Sequence, residues 1–162
     1  MSNFYFVGQQ IIDAKTHEVH DVELLLRFKK KEGFPEKEFH KLLNSTSIEY
    51  LAYLKDLDKE LNHLKVAYPG YHFSLNFTQQ ELEFPEALAY LEHVAEDMRD
   101  RILIEITEEA PERRFADYPE SINVAAFKRL HDLGYKIALD DIMQGNNAPM
   151  SINGTYFSKH SF

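Results

Sequence analysis

The chain has 162 residues, with 18 Lys and Arg, 27 Asp and Glu, eight His and no Cys, so its formal charge is −9 at pH 7. This length predicts one domain, and the lack of cysteine excludes a disulfide framework and a thiolate zinc site. The acidity argues against duplex nucleic acid or an anionic membrane as a partner. Because no apolar run is long enough to span a bilayer and the first residues lack signal-peptide features, we expect a soluble cytoplasmic protein.

The N-terminal part of the sequence predicts two strands. Residues 4–13 are rich in aromatic and β-branched side chains, and residues 22–28 (VELLLRF) form a short apolar run. Such a near-continuous apolar run is typical of a strand that is buried on both faces of a parallel sheet. Since side chains alternate along a strand, Glu23, Leu25 and Arg27 would point the same way.

Two helices are predicted next, at residues 35–43 and 48–68. Thr46 and Glu49 have the spacing of a capping box at the start of the second helix, and Pro69-Gly70 would end it. Apolar residues at spacings of three and four predict the buried face of this helix: Ile48, Leu51, Leu54, Leu57, Leu61 and Leu64.

The rest of the chain alternates between strand and helix patterns. We predict strands at residues 72–77, 102–107 and 137–141, helices at 84–99 and 121–133 with Gly134 at the C′ position, a turn at 144–147, and no regular structure in 148–162. Strands separated by helices indicate βαβ units and a parallel sheet, so the fold class is α/β.

Polar residues occupy equivalent places in four of the predicted strands: Glu23, Asn76, Glu105 and the pair Asp140-Asp141. The last two intervals, 105 − 76 = 29 and 140 − 105 = 35, are close to the length of a βα unit, about 30 residues. In a barrel of parallel strands the carboxyl ends converge and supply catalytic groups. Carboxylate and amide oxygens suit Mg²⁺, Mn²⁺ or Ca²⁺, so the pattern predicts a shared metal site.

Each of these residues also has a structural interpretation. A strand-end carboxylate is commonly a helix cap or a surface residue, Asn76 is a good turn residue, and Asp140-Asp141 could begin a loop. Arg27 could hold a phosphate or simply pair with Glu23. The eight His residues show no metal-ligand spacing.

Five motifs follow one another along the sequence: QQIID at 9–13, VELLLRF at 22–28, SLNFT at 74–78, IEITE at 104–108 and LGYKIALDD at 133–141. Together they resemble the EAL domains, cyclic-di-GMP phosphodiesterases with a TIM-barrel-like fold, although Gln10 replaces the family's proline in the first motif. The resemblance implies a partial barrel of five to six strands, in a single domain over residues 1–162 that is incomplete at its C-terminus.

The resemblance also implies roles for individual residues. The metal ligands would be Glu23, Asn76, Glu105, Asp140 and Asp141. Asp141 would help to activate water and Glu108 would support the loop after the last strand, whereas Gln9, Leu25 (through its backbone) and Arg27 would hold cyclic-di-GMP. The reaction would be hydrolysis to linear pGpG with Mg²⁺ or Mn²⁺, and with Ca²⁺ as an inhibitory ion.

The sequence departs from the family in two places. Residues 142–145 read IMQG instead of Phe-Gly-Thr-Gly, and the only lysine near the family's catalytic position is Lys159, in a segment unlike the family's strand. We therefore expect weak or absent hydrolysis. The alternatives are a non-catalytic module that binds cyclic-di-GMP or a protein, and a fragment without an independent role; a metal enzyme of other chemistry is more remote. Open barrel edges would favour a homo-oligomer or a partner that covers them, or a tail that folds over the gap.

Overall fold

The computed structural model describes residues 3–107, 109–114, 122–140, 150–152 and 155–157. The chain forms two compact units, Met1–Ser74 and Leu75–Phe162. The elements, in chain order, are β1 (Phe4–Ile12), β2 (Val19–Phe28), α1 (Glu36–Leu43), α2 (Ser47–Ala67), β3 (His72–Phe77), α3 (Gln79–Leu82), α4 (Pro85–His93), α5 (Glu96–Arg99), β4 (Ile102–Thr107), α6 (Val124–Asp132), β5 (Lys136–Asp140), β6 (Met150–Ile152) and β7 (Thr155–Phe157). Five strands form one sheet in the order β1-β2-β3-β4-β5, and the boundary between the units falls inside β3.

Strands β1 and β2 are antiparallel, which differs from the all-parallel sheet predicted from the sequence. Only residues 13–18 separate them, and a parallel pair would need a crossover of roughly a dozen residues or more. The Asp13 carboxylate accepts hydrogen bonds from the backbone N–H groups of Lys15 (2.7 Å) and Thr16 (3.0 Å), which closes the turn. The buried face of β2 carries alternate residues, Val22, Leu24 and Leu26. The prediction that β2 is buried on both faces is therefore wrong.

Helix α2 begins where the sequence predicted, with Thr46 and Glu49 forming the capping box. Its apolar face is only partly the predicted one, because Leu54, Leu57, Leu61 and Leu64 are buried while Ile48 (79% exposed) and Leu51 (42%) are not. Three successive steps of three residues turn through about 900°, so Ile48 lies opposite Leu57 on the helix.

Aromatic residues complete the core of the first unit in place of Ile48 and Leu51. The ring of Tyr53 packs against Phe4 (6.0 Å between centroids), Phe6 (5.6 Å), Phe39 (5.8 Å) and Tyr50 (5.6 Å). Tyr53 and Tyr50 are 4% and 3% exposed. Tyr53 thus joins α1 and α2 to the face of β1 from which Phe4 and Phe6 project.

In the second unit, β4 and β5 are parallel, as predicted, with Ile104 beside Ile137. The predicted single helix at 84–99 is instead two helices, because Val94 (ψ 134°) and Ala95 (ψ 137°) are extended. The guanidinium of Arg99 donates to the carbonyl oxygens of Val94 (2.9 Å), Glu92 (3.0 Å) and Leu133 (3.3 Å). It therefore satisfies carbonyls that the break and the end of α6 leave without intrahelical partners.

The predicted helix at 121–133 is observed as α6, which starts later than expected because Asn123 caps it by accepting from the Ala126 N–H (3.1 Å). Gly134 follows with φ +100°, as its predicted C′ position requires. The expectation of an irregular tail is wrong in part, since β6 and β7 form an antiparallel pair. Residues 153 and 154 between them are Asn-Gly, the strongest short hairpin signal. The predicted turn at 144–147 lies outside the described residues.

Candidate functional site

In the first unit, the register of β1 and β2 places Gln9 directly opposite Glu23. Leu25 and Arg27 follow Glu23 at every second position, so the three side chains project from the same face of the strand. Glu23, Leu25 and Arg27 are half-buried and Gln9 is exposed, whereas the intervening Leu24 and Leu26 are buried. The pairing thus brings four residues singled out in the sequence onto one accessible face, which we call the β1–β2 face.

The β1–β2 face carries further polar groups. The Arg27 guanidinium donates to the carbonyl oxygen of Leu26 (2.8 Å), which holds the arginine along the strand. Asp21 lies two residues before Glu23 and therefore projects from the same face of β2. Its carboxylate is 3.6 Å from Nδ1 of His72. This contact becomes an ion pair when His72 is protonated.

In the second unit, Asn76 and Glu105 are accessible members of otherwise buried strands. Asn76 is exposed in β3, and Glu105 is half-buried between the fully buried Ile104 and Ile106 of β4. Asp140 takes the register position beside Thr107, two residues beyond Glu105. From a strand spacing of about 4.8 Å and a rise of about 3.3 Å per residue, the backbone positions of Glu105 and Asp140 are roughly 8 Å apart.

Side chains near the carboxyl ends of β3 and β4 have the donor chemistry that divalent cations take. Asn76 and Glu105 have hard oxygen atoms of this kind, and the buried hydroxyl of Thr107 has no hydrogen-bond partner among the described residues. No group of three His, Cys, Asp or Glu side chains in the described part of the chain is placed to hold a metal ion. Asp141 and Glu108, two further predicted site residues, lie outside the described residues.

The sequence interpretation missed helix α3 and its role at this end of the sheet. Thr78 and Glu81 form a second capping box, and residues 79–82 are all buried. The side chain of Gln79 donates to the carbonyl oxygen of Thr107 (3.4 Å), and that of Gln80 bonds to the backbone of Arg113. The Thr-x-x-Glu spacing was the available signal, since the same spacing identified the start of α2.

Within the described residues, no helix is both long enough and apolar enough to cross a membrane.

The fold is that of an α/β protein, and several of its otherwise apolar strands carry an accessible carboxylate or amide side chain. The EAL domain family model matches residues 2–157, and the chain belongs to this family. The resemblance stated from the motifs is thereby confirmed.

Solved structures share this fold. An EAL domain protein from Listeria monocytogenes is 18% identical with a TM-score of 0.60, over 86% of this chain and 55% of that one. The PaMucR phosphodiesterase in complex with c-di-GMP is 19% identical with a TM-score of 0.62, over 90% of this chain and 63% of that one. BlrP1 of Klebsiella pneumoniae, in complex with calcium and cy-diGMP, is 22% identical with a TM-score of 0.60, over 86% of this chain and 35% of that one.

These matches fix the fold class as the TIM-barrel-like α/β fold of EAL domains, here with a five-stranded sheet. The chain spans between about a third and two thirds of the lengths of these structures. No curated protein sequence matches the chain.

Proposed function

We propose that this EAL domain binds cyclic-di-GMP through the β1–β2 face. The observation that carries the proposal is the register that sets Gln9 opposite Glu23, with Leu25 and Arg27 on the same side of β2. A guanidinium can bind a phosphate through two parallel hydrogen bonds, and the neighbouring apolar side chains can contact a base. The PaMucR and BlrP1 structures, which contain this dinucleotide, support the choice of ligand.

We propose that Glu23, Asn76, Glu105, Asp140 and Asp141 serve as ligands for Mg²⁺ or Mn²⁺. A bound divalent ion would polarise the phosphoryl group and lower the pKa of a bound water. A BlrP1 complex with manganese supports this ion class; it is 20% identical with a TM-score of 0.59, over 86% of this chain and 35% of that one. Asp141 would take the proton from the attacking water, and Glu108 would support the adjoining loop. Gln9, Leu25 and Arg27 would orient the dinucleotide.

We expect hydrolysis by these 162 residues to be weak or absent. The only lysine near the family's catalytic position is Lys159, and its segment does not resemble the family's strand. The test is incubation with cyclic-di-GMP and Mn²⁺, followed by chromatography for pGpG. Rapid turnover, abolished when Glu105→Gln replaces the carboxylate, would show that the existing residues suffice and would contradict the expected inactivity.

Binding is tested with two substitutions that each remove one positive charge. Arg27→Met is expected to weaken cyclic-di-GMP binding roughly tenfold to a hundredfold, as the loss of a charged hydrogen-bonded pair implies. Lys29→Met removes an exposed charge just beyond β2 and is expected to change the dissociation constant less than about twofold. Equal effects of the two variants in titration calorimetry would show that the β1–β2 face does not hold the ligand.

A second proposal is that β1 pairs with a second copy of the chain. In the described structure β1 is an edge strand of nine residues that contains no charged residue and no proline. Such edges are templates for pairing. Three apolar side chains project from one face of this strand and are exposed: Tyr5 (43%), Val7 (42%) and Ile11 (41%).

Gln10 allows a direct test of self-association, because the EAL family motif that residues 9–13 resemble has a proline at this position. Proline lacks the N–H that edge pairing uses and is tolerated on edge strands. We expect Gln10→Pro to reduce the mass measured by light scattering to that of the monomer, while Gln10→Ala, which keeps the N–H, stays associated. A monomeric wild-type chain would rule out this pairing.

We also propose a cytoplasmic location, which the absence of cysteine supports. Cell fractionation tests this assignment, and recovery with the membrane or in the extracellular fraction would contradict it.

A further inference from the structure

Helix α3 binds the segment that follows β4 through a paired hydrogen bond. The Gln80 side chain donates through Nε2 to the carbonyl oxygen of Arg113 (2.9 Å) and accepts through Oε1 from the Arg113 N–H (2.8 Å). Gln80 is 9% exposed, so water competes little for these bonds. A single carboxamide thus pairs with both backbone groups of one residue, as a neighbouring strand would.

The adjacent Gln79 holds the start of the same segment, since its Nε2 donates to the carbonyl oxygen of Thr107 (3.4 Å). The first turn of α3 is itself fixed by the capping box, in which Glu81 accepts from the Thr78 N–H (2.7 Å) and donates its own N–H to Thr78 Oγ1 (3.1 Å). Glu81 is completely buried. Two neighbouring glutamines on a fixed turn therefore hold both Thr107 and Arg113.

We infer that Gln80 is a positioning residue for the metal site at the carboxyl end of β4, an inference that rests on the proposed function. Thr107 ends β4 two residues after Glu105 and is in register with Asp140. Anchoring the chain on either side of the following loop removes backbone freedom at the point where the proposed ligands must converge. Strand β3, which carries Asn76, leads directly into α3. Helix α3 is therefore connected both to β3 and, through its hydrogen bonds, to the end of β4, and each of these strands carries one of the proposed metal ligands.

The test compares Mn²⁺ binding by the full chain and its variants, measured by electron paramagnetic resonance. Gln80→Leu replaces the carboxamide with an apolar group of similar size and removes both hydrogen bonds. Loss of a residue that orients ligands commonly weakens metal binding tenfold or more, and for this indirect contact we expect at least about fivefold. Gln80→Glu keeps the acceptor for the Arg113 N–H and loses the donor, so its affinity should lie between those of Gln80→Leu and the wild type.

The matched control is Tyr135→Phe in the same unit. Its hydroxyl donates to the carbonyl oxygen of Leu91 (2.5 Å) in a buried environment, ahead of the amino end of β5. Removing it also deletes a buried bond from a side chain to a backbone carbonyl, but away from the carboxyl end of β4. We expect Mn²⁺ affinity within about twofold of the wild type.

Amide hydrogen exchange at Arg113 gives a second readout that does not depend on metal. It should accelerate at least about tenfold in Gln80→Leu and stay unchanged in Tyr135→Phe. If Gln80→Leu binds Mn²⁺ as tightly as the wild type, or if both variants lose affinity alike, the positioning role is wrong while the metal site stands. If the wild-type chain does not bind Mn²⁺, the proposed site and the role of Gln80 both fail.

Discussion

The orientation of helix α2 gives a quantitative prediction, because Leu54 and Ile48 are similar in size and differ in burial. Leu54 is 3% exposed and Ile48 is 79% exposed. Substitution of either residue by alanine removes three carbon atoms. At about 0.8 kcal/mol for each buried carbon, Leu54→Ala loses about 2.4 kcal/mol of transfer free energy. The cavity left behind raises the expected loss to about 3 kcal/mol.

Ile48→Ala should change stability far less. Only about a fifth of its side chain leaves water, so the lost transfer free energy is about 0.5 kcal/mol. The higher helix propensity of alanine offsets a few tenths of a kcal/mol of this loss. The expected net change in the free energy of unfolding is therefore below about 0.5 kcal/mol.

Urea unfolding followed by far-UV circular dichroism and tyrosine fluorescence measures both variants, since the chain has nine Tyr and no Trp. The transition of the first unit should move to lower urea for Leu54→Ala and stay in place for Ile48→Ala. Similar losses for the two variants, or a larger loss for Ile48→Ala, would refute the assigned helix face.

Three further changes test local features. Gly134→Ala should lower the free energy of unfolding by about 1–2 kcal/mol in thermal unfolding, because Gly134 has a φ of +100°, which alanine rarely adopts. The added methyl group itself has room, since the nearest atom, Cβ of Arg99, would be 3.9 Å away. An unchanged stability would mean that the turn can change its backbone angles. Thr46→Ala should lose about 1 kcal/mol in the same assay by removing the cap of α2, and an unchanged midpoint would contradict this role. The hydrogen bond from Lys31 lowers the pKa of the Glu38 carboxyl, so the pair stabilises the fold at neutral pH and this contribution is lost as the pH falls through the lowered pKa. Lys31→Met should raise the pKa of Glu38 toward its ordinary value in an NMR titration, and an unchanged pKa would assign the shift to the other groups around Glu38.

Local signals in the sequence predicted most elements of the fold. The capping residues of α2, the strand at His72–Phe77 and the strand at Ile102–Thr107 were placed correctly, because each depends on neighbouring residues alone. The buried face was predicted wrongly only at the start of α2, where Ile48 and Leu51 are exposed. Residues three apart drift around the helix, so Ile48 falls on the side opposite Leu57, and Tyr50 and Tyr53 take the buried positions in the first turns.

Features that depend on distant contacts could not be predicted. The residues around Val94 include neither glycine nor proline, so the sequence does not mark the break between α4 and α5. The carbonyl oxygen of Val94 accepts a hydrogen bond from the side chain of Arg99, five residues away. The residues of the candidate site were named from the family resemblance, and their role as ligands stays a prediction. The hydrogen bonds of Gln80 could not be predicted, because the partner, Arg113, lies 33 residues further along the chain.

Arg99 shows how much of the second unit depends on one side chain. Its guanidinium binds carbonyl oxygens of Glu92, Val94 and Leu133. A lysine carries the same charge but presents its donors from a single nitrogen, which cannot reach three separated acceptors with the geometry of a planar fork. A charge-conserving replacement there would leave helix ends exposed in two distant parts of the chain at once. Sequence drift in this protein should therefore tolerate changes in the length and composition of the 94–95 break more readily than any loss of that arginine.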